Sequence, residues 1–322
     1  MYELHLDAGD LAETRFAASP LMEAVLSLRV WRLPGYYVLQ RPWLESAAAD
    51  LGDLDISLLL ALVGPRRLVP DFLTPRPDQL APDFGAELDR ARATDPAKVA
   101  ADIRTAHTGG TVPALLEPLL ARPAVLRDRL ARLLEAYWEL TLARHWPRIR
   151  GVLEADLRYR ALRLAEGGVA HLFADLHPSI AFRRGTVSMD LSFAHPDSRN
   201  PGSGRGLCLV PALFVNTPGP PNSPDHPPMI TYPVRGAATV WRTGPPPPPG
   251  TLAALIGSPK ATILTTLAEP ATTTELARLL EVTPGAVSHH LKVLHDARLV
   301  TRARAGRGVL YARTDLADRL MP

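Results

Sequence analysis

The sequence predicts an α+β protein in which a long front region is joined by a proline-rich linker to a smaller carboxyl-terminal domain. Residues 1–166 place apolar side chains mainly at helical spacing, whereas residues 167–244 contain β-prone runs. The front region 1–244 is therefore predicted to be mainly helical at first and β-rich afterwards. Consecutive prolines begin at Pro245 and favour an extended, stiff chain. We therefore predict a linker at 245–250 and a separate domain at 251–322.

Helical patterns account for most of the first 166 residues. Tyr2, Leu4 and Leu6 alternate with polar residues and predict a short opening strand. Ser19 followed by Pro20 is typical of a helix start and leads into residues 21–33. The other predicted helices cover 56–63, 84–94, 96–106 and 123–145, and the last pattern resumes after Pro147 and runs to Glu166.

The pattern changes at Gly167 and Gly168, after which strands are predicted. The residues Arg183, Arg184 and Gly185 separate two β-prone runs, 180–182 and 187–191, and predict a hairpin. Further strands are predicted at 207–215 and 229–234. The connection between them, 216–228, is rich in proline, glycine and asparagine, and a loop of that length is expected to be either disordered or functional.

Two short helices are predicted near the carboxyl end. Thr272 and Glu275 have the spacing of a capping box, and Leu276, Ala277 and Leu280 follow on one helical face. Residues 281–283 form the turn, and Thr283 with Pro284 is typical of the next helix start. In that second helix, apolar residues recur at the spacing of a single buried stripe, formed by Val287, Leu291 and Leu294. The opposite face carries small and polar residues, namely Gly285, Ala286, Ser288, His289 and Lys292.

A short arginine-rich hairpin is predicted after the two helices. The β-prone runs 299–304 and 308–313 flank a turn at 305–307. This order of elements predicts a winged helix-turn-helix, whose second helix enters the major groove and whose wing contacts phosphates or the minor groove. The residues expected to contact double-stranded DNA are Thr283, Gly285, Ala286, Ser288, His289, Lys292, Arg302, Arg304 and Arg307.

At these residues the sequence resembles a known family. The run VTPGAVSHHLKVLHDARLV, followed by RARAGRGVLYAR, resembles the recognition helix and wing of the ArsR/SmtB family of bacterial repressors, within a similar segment at 252–320. The resemblance implies a homodimeric transcriptional repressor that binds a palindromic operator. The openings HLDAGDLAETRFAASPLMEAVLSLR and VPDFLTP resemble an uncharacterised front domain of such regulators. We therefore expect residues 1–244 to sense an unknown effector, such as a small molecule, or to drive assembly.

The chain departs from the metal-sensing members of that family. Thr272 and Thr274 stand where those members have thiolates, residues 315–321 contain no histidine, and the only cysteine is Cys208. We therefore expect no metal site at the family's positions and no cofactor. Glu281 and Arg298 stand where such modules have glycine, so each is expected to adopt a left-handed conformation.

Charge and composition support the same interpretation. Residues 251–322 contain nine lysines and arginines against six acidic residues, whereas residues 1–250 contain 27 of each, so the net charge of +3 belongs to the carboxyl-terminal domain. A single cysteine is typical of a reducing compartment. The longest uncharged apolar stretches, 56–64 and 207–215, are far shorter than the roughly 20 residues that cross a bilayer. These features predict a cytoplasmic protein with no membrane partner.

The interpretation as a regulator predicts that the protein is not an enzyme, but some residues of the front region also allow other functions. If residues 169–176 form a strand, His171, Asp175 and His177 share one face and could coordinate a metal. The spacing of His145, His195 and Asp197 does not by itself define a catalytic triad. The alternative hypotheses are an enzyme or ligand-binding protein with a regulatory DNA-binding tail, and a winged helix that binds a protein.

Overall fold

The computed structural model describes residues 2–191, 199–200, 204–223, 226–241, 249–267, 271–305 and 308–320. The chain is of mixed helix and strand, which confirms the predicted α+β class, and it divides into two compact units, Met1–Arg242 and Thr243–Pro322. Residues 245–248 of the predicted linker lie outside the described part, and Pro249 and Gly250 already belong to a helix. Among the described residues, no helix combines the length and the apolar character needed to cross a bilayer.

The first unit contains nine of the described α-helices and seven of the described strands. Its helices are α1 (Ala8–Ala12), α2 (Pro20–Arg32), α3 (Arg41–Asp50), α4 (Ser57–Leu60), α5 (Phe84–Arg92), α6 (Pro96–Ala106), α7 (Pro123–Thr141), α8 (Trp146–Ala174) and α9 (Ala237–Val240). Its strands are β1 (Tyr2–His5), β2 (Arg15–Phe16), β3 (Ile180–Arg183), β4 (Thr186–Met189), β5 (Arg199–Asn200), β6 (Cys208–Ala212) and β7 (Met229–Pro233). Short 3-10 turns lie at Val38–Gln40, Asp71–Leu73, Glu117–Ala121 and Ala143–His145.

The second unit is smaller and consists of helices around a three-stranded sheet. Its helices are α10 (Pro249–Ile256), α11 (Ser258–Thr266), α12 (Thr273–Leu279), α13 (Pro284–Asp296) and α14 (Asp315–Leu320). Its strands are β8 (Ala271–Thr272), β9 (Val300–Ala305) and β10 (Gly308–Arg313), in the order β8-β10-β9.

Two sheets organise the first unit. One has the order β3-β4-β1-β5, in which β1 pairs antiparallel with β4 and parallel with β5. The other, β2-β6-β7, is parallel throughout. Both sheets pair residues from the first sixteen positions with residues near position 200. The two sheets of the first unit therefore form only when these distant segments come together.

Most helices of the first unit agree with the sequence patterns. The side chain of Ser19 caps α2 by accepting a hydrogen bond of 3.0 Å from the amide of Met22, and the helices predicted near 84–94, 96–106 and 123–145 are present. The helix predicted at 56–63 is a single turn. It is followed by Gly64, which packs so closely on the Ala106 carbonyl that a Cβ would lie 1.8 Å from that oxygen. Helices α1, α3 and α9 were not predicted.

The prediction of strands directly after Gly167 and Gly168 is wrong. Both glycines have non-helical backbone angles, but the chain resumes as a helix and continues to Ala174. The reason is a helical spacing at 169, 172, 173 and 176 that places Leu172, Phe173 and Leu176 in a buried core. The β-rich part therefore begins at Ile180.

An ion-pair cluster holds the two segments of α8 together across this break. The guanidinium of Arg160 donates a 2.6 Å hydrogen bond to Asp175, which also accepts one of 2.5 Å from the Tyr159 hydroxyl. Arg160 also lies 3.6 Å from the buried carboxylate of Asp156, which accepts a 2.7 Å hydrogen bond from Tyr232 in β7. The cluster thus connects α8 to the parallel sheet.

The strands predicted beyond residue 180 are confirmed. Strands β3 and β4 form the predicted hairpin, and its turn residues Arg184 and Gly185 both have positive φ, at 49° and 82°. Strands β6 and β7 lie within the predicted ranges. The described part of the loop between β6 and β7 is anchored by Asp71. Its carboxylate accepts hydrogen bonds of 3.0 and 2.8 Å from the backbone amides of Asn222 and Ser223.

Two hydrophobic cores stabilise the first unit. The larger lies around α2, whose residues 20–28 are all buried, and Tyr137 of α7 reaches this helix with hydrogen bonds of 2.7 Å to Ser27 and 2.9 Å from Trp31. The smaller core packs the end of α8 on the sheet that contains β1.

Buried carboxyl groups lie inside the larger core. Glu87 accepts hydrogen bonds of 2.8 Å from the Ser19 hydroxyl and 3.1 Å from the Leu21 amide, while its other oxygen has no partner among the described residues. Burial raises the pKa of Glu87 to about 7, against the lowering effect of those two donors. Burial likewise raises the pKa of Glu23 to about 8. Both groups therefore favour the neutral form in the folded state.

We expect Glu87→Gln to remove part of the pH dependence of stability. Because the pKa of Glu87 rises from 4.5 to about 7 on folding, the folded state binds more protons between these values, and wild-type stability falls as pH rises through this window. The difference in unfolding free energy between wild type and Glu87→Gln should change by up to about 3 kcal/mol across the window. Urea titrations followed by tryptophan fluorescence measure it, since all five tryptophans lie in the first unit.

Exposed Glu139 on α7 provides the control, because Glu139→Gln should leave the pH profile as it is in the wild type. Glu23 is unchanged in all three proteins, so its contribution to the pH dependence of the unfolding free energy cancels in the comparison. Parallel stability profiles for wild type and Glu87→Gln between pH 4.5 and 7.5 would contradict the interpretation of Glu87.

Candidate nucleic-acid interface

Helices α12 and α13 pack through the apolar stripe that the sequence predicted. Val287, Leu291 and Leu294 of α13 are fully buried, and Leu276 and Ala277 of α12 lie in the same cluster. The cluster continues into α11, β9 and α14 through Ile263, Leu264, Leu267, Leu299, Val300 and Ala317. This packing determines which side of α13 is covered.

The predicted capping box at the start of α12 is confirmed. The Thr272 hydroxyl accepts a 3.3 Å hydrogen bond from the Glu275 amide, and the Glu275 carboxylate accepts a 2.7 Å hydrogen bond from the Thr272 amide. The backbone donor of Thr272 is the main reason that the pKa of Glu275 is lowered. Both residues are therefore occupied in starting the helix, which explains why threonine stands at this position.

The turn between the helices depends on a left-handed residue, as predicted. Glu281 has φ of 54°, and the Val282 amide donates a 3.0 Å hydrogen bond back to the Ala277 carbonyl. These are the features of a Schellman ending, which usually has glycine at the left-handed position. Thr283 then begins α13 by accepting a 3.3 Å hydrogen bond from the Ala286 amide. The turn is thus set by local hydrogen bonds.

Helix α13 ends in the same way. Arg298 has φ of 57°, and the Leu299 amide donates a 2.8 Å hydrogen bond to the Leu294 carbonyl. Both leucines are buried in the same cluster, so the chain leaves α13 and enters β9 in a single direction.

The face of α13 opposite the buried stripe is exposed. It carries all six of the residues predicted there and in the preceding cap, namely Thr283, Gly285, Ala286, Ser288, His289 and Lys292. His289 is exposed and the neighbouring His290 is half-buried, with their ring centroids 5.7 Å apart. The structure therefore groups these side chains on a surface that a nucleic acid can reach, and their contact with DNA stays a prediction.

Two exposed valines beside this surface were missed in the sequence. Val282 and Val293 are 47% and 42% exposed, and they flank the polar face of α13. Apolar residues at a helix end suggest core, so sequence patterns gave no signal for their exposure. A methyl-bearing side chain in this position can contact the methyl group of thymine.

The wing is formed by β9 and β10, which pair antiparallel as predicted. Arg302 of β9 is exposed and stands opposite Tyr311 of β10. Arg304 belongs to β9, but its side chain and the whole of Arg307 lie outside the described part of the structure. Arg313 has a structural role instead, because it pairs with Asp318 of α14 at 2.9 Å.

The other sequence candidates are not brought together. Asp175 is bound by Arg160 and Tyr159, and His177 is hydrogen bonded to Ser179 at 2.8 Å. His171 belongs to α8, so the strand face proposed for a metal does not exist. Within the described ranges, no group of three histidine, cysteine or acidic residues is placed to hold a metal ion.

The candidate catalytic residues give a similar result. His145 stacks edge-on against Trp241, with ring centroids 5.5 Å apart, and its Nε2 accepts a 3.0 Å hydrogen bond from Arg144. Burial lowers the pKa of His145 below its usual value, which favours the neutral ring. His195 and Asp197 lie outside the described residues.

Comparisons with known protein families give one match within each of the two units. Residues 260–302 match the family described as bacterial regulatory protein, arsR family, and residues 81–238 match a family of unknown function (DUF5937). No curated protein matches the chain. Among solved structures, the chain is similar to ZitR of Lactococcus lactis, determined for a double mutant in the apo form, with 31% identity and a TM-score of 0.20. The similarity covers 22% of this chain and 57% of ZitR, a little over half of its length.

The chain therefore carries an ArsR-family helix-turn-helix domain at its carboxyl end, preceded by a domain of unknown function. This confirms the resemblance inferred from residues 252–320. The ArsR-family domain indicates DNA-binding transcription regulation.

We expect Glu281→Gly to stabilise the second unit. A side chain at a left-handed position costs roughly 1 kcal/mol relative to glycine, and the turn needs φ of 54° whichever residue is present. Hydrogen exchange of the α12 and α13 amides should slow about fivefold, which corresponds to roughly 1 kcal/mol. Glu281→Ala is the control, since it removes the same charge but keeps the Cβ. Equal slowing in both variants would show that charge, rather than backbone conformation, is responsible.

Proposed function

We propose that this protein is a sequence-specific DNA-binding repressor that binds a palindromic operator as a homodimer. The observation that carries the proposal is the exposed face of α13, where small and polar side chains lie opposite a fully buried stripe within an ArsR-family domain. A helix that is small at its start and polar along one side can approach the floor of the major groove. We place the protein in the cytoplasm, where such an operator lies.

Each candidate residue has a distinct proposed role. Gly285 and Ala286 let the start of α13 approach the duplex, and the exposed amino end of this helix with Thr283 favours a phosphate. Ser288 and His289 contact base edges, because they lie one turn further along the same face. Phosphate or minor-groove contacts are assigned to Lys292, Arg302, Arg304 and Arg307.

Exposed leucines in the second unit support the homodimer. Leu255 of α10 is 73% exposed, and Leu316 and Leu320 of α14 are 41% and 40% exposed. A dimer interface that covered these side chains would remove their apolar surface from water. A two-fold dimer would present two α13 helices to half-sites about 34 Å apart, which is one turn of DNA.

The first unit is proposed to sense an effector. The positions that hold metal-binding thiolates in related sensors are occupied by Thr272, which caps α12, and by exposed Thr274, so we assign control to a different ligand. An effector that binds more tightly to a dimer conformation in which the two α13 helices do not match the half-site spacing would release the DNA.

Selection of bound duplexes from a random DNA pool at physiological salt should yield a palindromic consensus. The two half-sites should be separated by about ten base pairs, centre to centre, because two symmetric recognition helices read one face of the duplex. A consensus with a single half-site would contradict the homodimer, and failure to enrich any sequence would contradict the function itself.

Variants of the wing and of α13 should have different effects. Arg302→Ala should weaken binding by a similar factor on all sequences and lower the salt dependence by about one phosphate, whereas Ser288→Ala and His289→Ala should change the preferred sequence. Arg132→Ala on α7 is the matched control, since Arg132 is an exposed arginine of the first unit and belongs neither to the proposed DNA contacts nor to the proposed dimer surface. Fluorescence anisotropy with the selected operator and a scrambled duplex, at four salt concentrations, measures both effects.

The assignment of the two surfaces would be wrong if Arg132→Ala reduced the salt dependence as much as Arg302→Ala. It would also be wrong if the α13 variants weakened binding without altering sequence preference.

A further inference from the structure

The parallel sheet β2-β6-β7 gathers basic residues at one edge. Arg15, Cys208 and Met229 are the first residues of the three strands, and the register pairs Arg15 with Cys208 and Cys208 with Met229. Because parallel strands start at the same edge, the segments that precede β6 and β7 arrive there as well. Arg205 and His226 lie in those segments, each three residues before its strand.

Arg76 reaches the same edge from the segment between α4 and α5. It is only 8% exposed, and it lies close enough to the buried thiol of Cys208 for each group to influence the pKa of the other. Its Nε atom has no hydrogen-bond partner among the described residues. A buried N–H group of a guanidinium that lacks an acceptor is unfavourable, so this arrangement requires an explanation.

Two further arginines act on Arg76. Burial lowers the pKa of Arg76, and the positive charges of Arg15 and Arg205 lower it further. None of the groups that act on it most strongly is a carboxylate. The carboxylate of Asp10, near this edge, accepts hydrogen bonds from the backbone amides of Gly206, at 3.0 Å, and Asp7, at 3.4 Å. Three guanidinium groups therefore lie near one another at this edge.

His226 adds a second buried nitrogen without a partner. Its Nδ1 has no hydrogen-bond partner among the described residues, and Arg76 is close enough to lower the pKa of the ring, after burial and Lys98. The charge of Asp102 is matched, since Lys98 donates to both of its oxygens at 2.9 and 3.1 Å. The His226 amide donates a 3.2 Å hydrogen bond to the Ser223 carbonyl, and Asp71 holds that part of the loop.

We propose that this edge is a binding site for an oxyanion, the phosphate or carboxylate group of a small metabolite. Arg76 would donate from the buried side through its free Nε, and His226 would donate through Nδ1. Arg15 is exposed, so the site opens to solvent on that side, where Arg15 and Arg205 add charge. Guanidinium groups suit this ligand because their N–H groups match the oxygens of carboxylates and phosphates.

The test uses the full chain and inorganic phosphate as the probe. Phosphate should raise the midpoint of tryptophan-monitored thermal unfolding in a saturable way, compared with chloride at equal ionic strength, because a ligand of the folded state stabilises it. Acetate is titrated in parallel, and whichever of the two anions binds more tightly identifies the head group. Arg15→Gln and Arg76→Gln should each weaken the apparent affinity about tenfold.

Arg132→Gln is the matched control, since Arg132 is exposed on α7 and should leave the affinity unchanged. Arg76 is buried and its variant could misfold, whereas exposed Arg15 keeps the test decisive. The proposal is overturned if neither anion stabilises the protein more than chloride does. It is also overturned if Arg15→Gln binds both anions as tightly as wild type.

The further step, that the anion is the effector, rests on the regulatory function proposed above. The bound anion should then lower operator affinity in wild type and not in Arg15→Gln. If anions stabilise the protein but leave DNA binding unchanged, the binding site stands and the regulatory step is wrong. If no DNA is bound at all, the stabilisation measurement still decides the anion site.

Discussion

Helix α13 can bury only one stripe of side chains, and this constraint determines the surface of the second unit. Val287, Leu291 and Leu294 fill the cluster formed with α11 and α12, so the face that carries Ser288 and His289 must point away from it. The left-handed residues Glu281 and Arg298 fix how the chain enters and leaves the helix. Packing, turn geometry and the exposed polar face are therefore parts of a single arrangement within the ArsR-family domain.

The first unit is organised by a different principle. Strands from its two ends pair with each other, some parallel and some antiparallel. Its buried charged side chains connect segments that are distant in sequence. Arg160 links Asp156 and Asp175 across the break in α8, and Asp71 binds the loop before β7. Buried ion pairs give less stability than their Coulomb energy suggests, but they favour one geometry over others. The unit is thus specified by polar contacts as well as by its apolar core.

The basic edge of the parallel sheet contrasts with these matched charges. Where Asp156, Asp102 and Asp71 each have donors, Arg76 has a buried Nε without an acceptor among the described residues. His226 Nδ1 also lacks a partner among the described residues, and two unpaired buried nitrogens near the same edge are what a binding site for an anion requires. An anion bound at this edge would be a ligand of the domain of unknown function. It would also allow the regulator to respond to an effector without the metal-binding residues of related proteins.

The sequence by itself determined the helix-turn-helix and the wing of the second unit, but not α10, α11 or α14. Its caps, turn and stripe are relations between residues at most seven positions apart, as in Thr272 with Glu275 or Val287 with Leu294, and local periodicity records such relations. In the first unit it determined most helices and the hairpin of β3 and β4, but misassigned residues 169–174, where a helical spacing follows two glycines. Only the tertiary structure decided that Arg15, Arg76, Cys208 and His226 share one edge. Strand pairing joins residues that are nearly 200 positions apart, and no pattern within a short window carries that information.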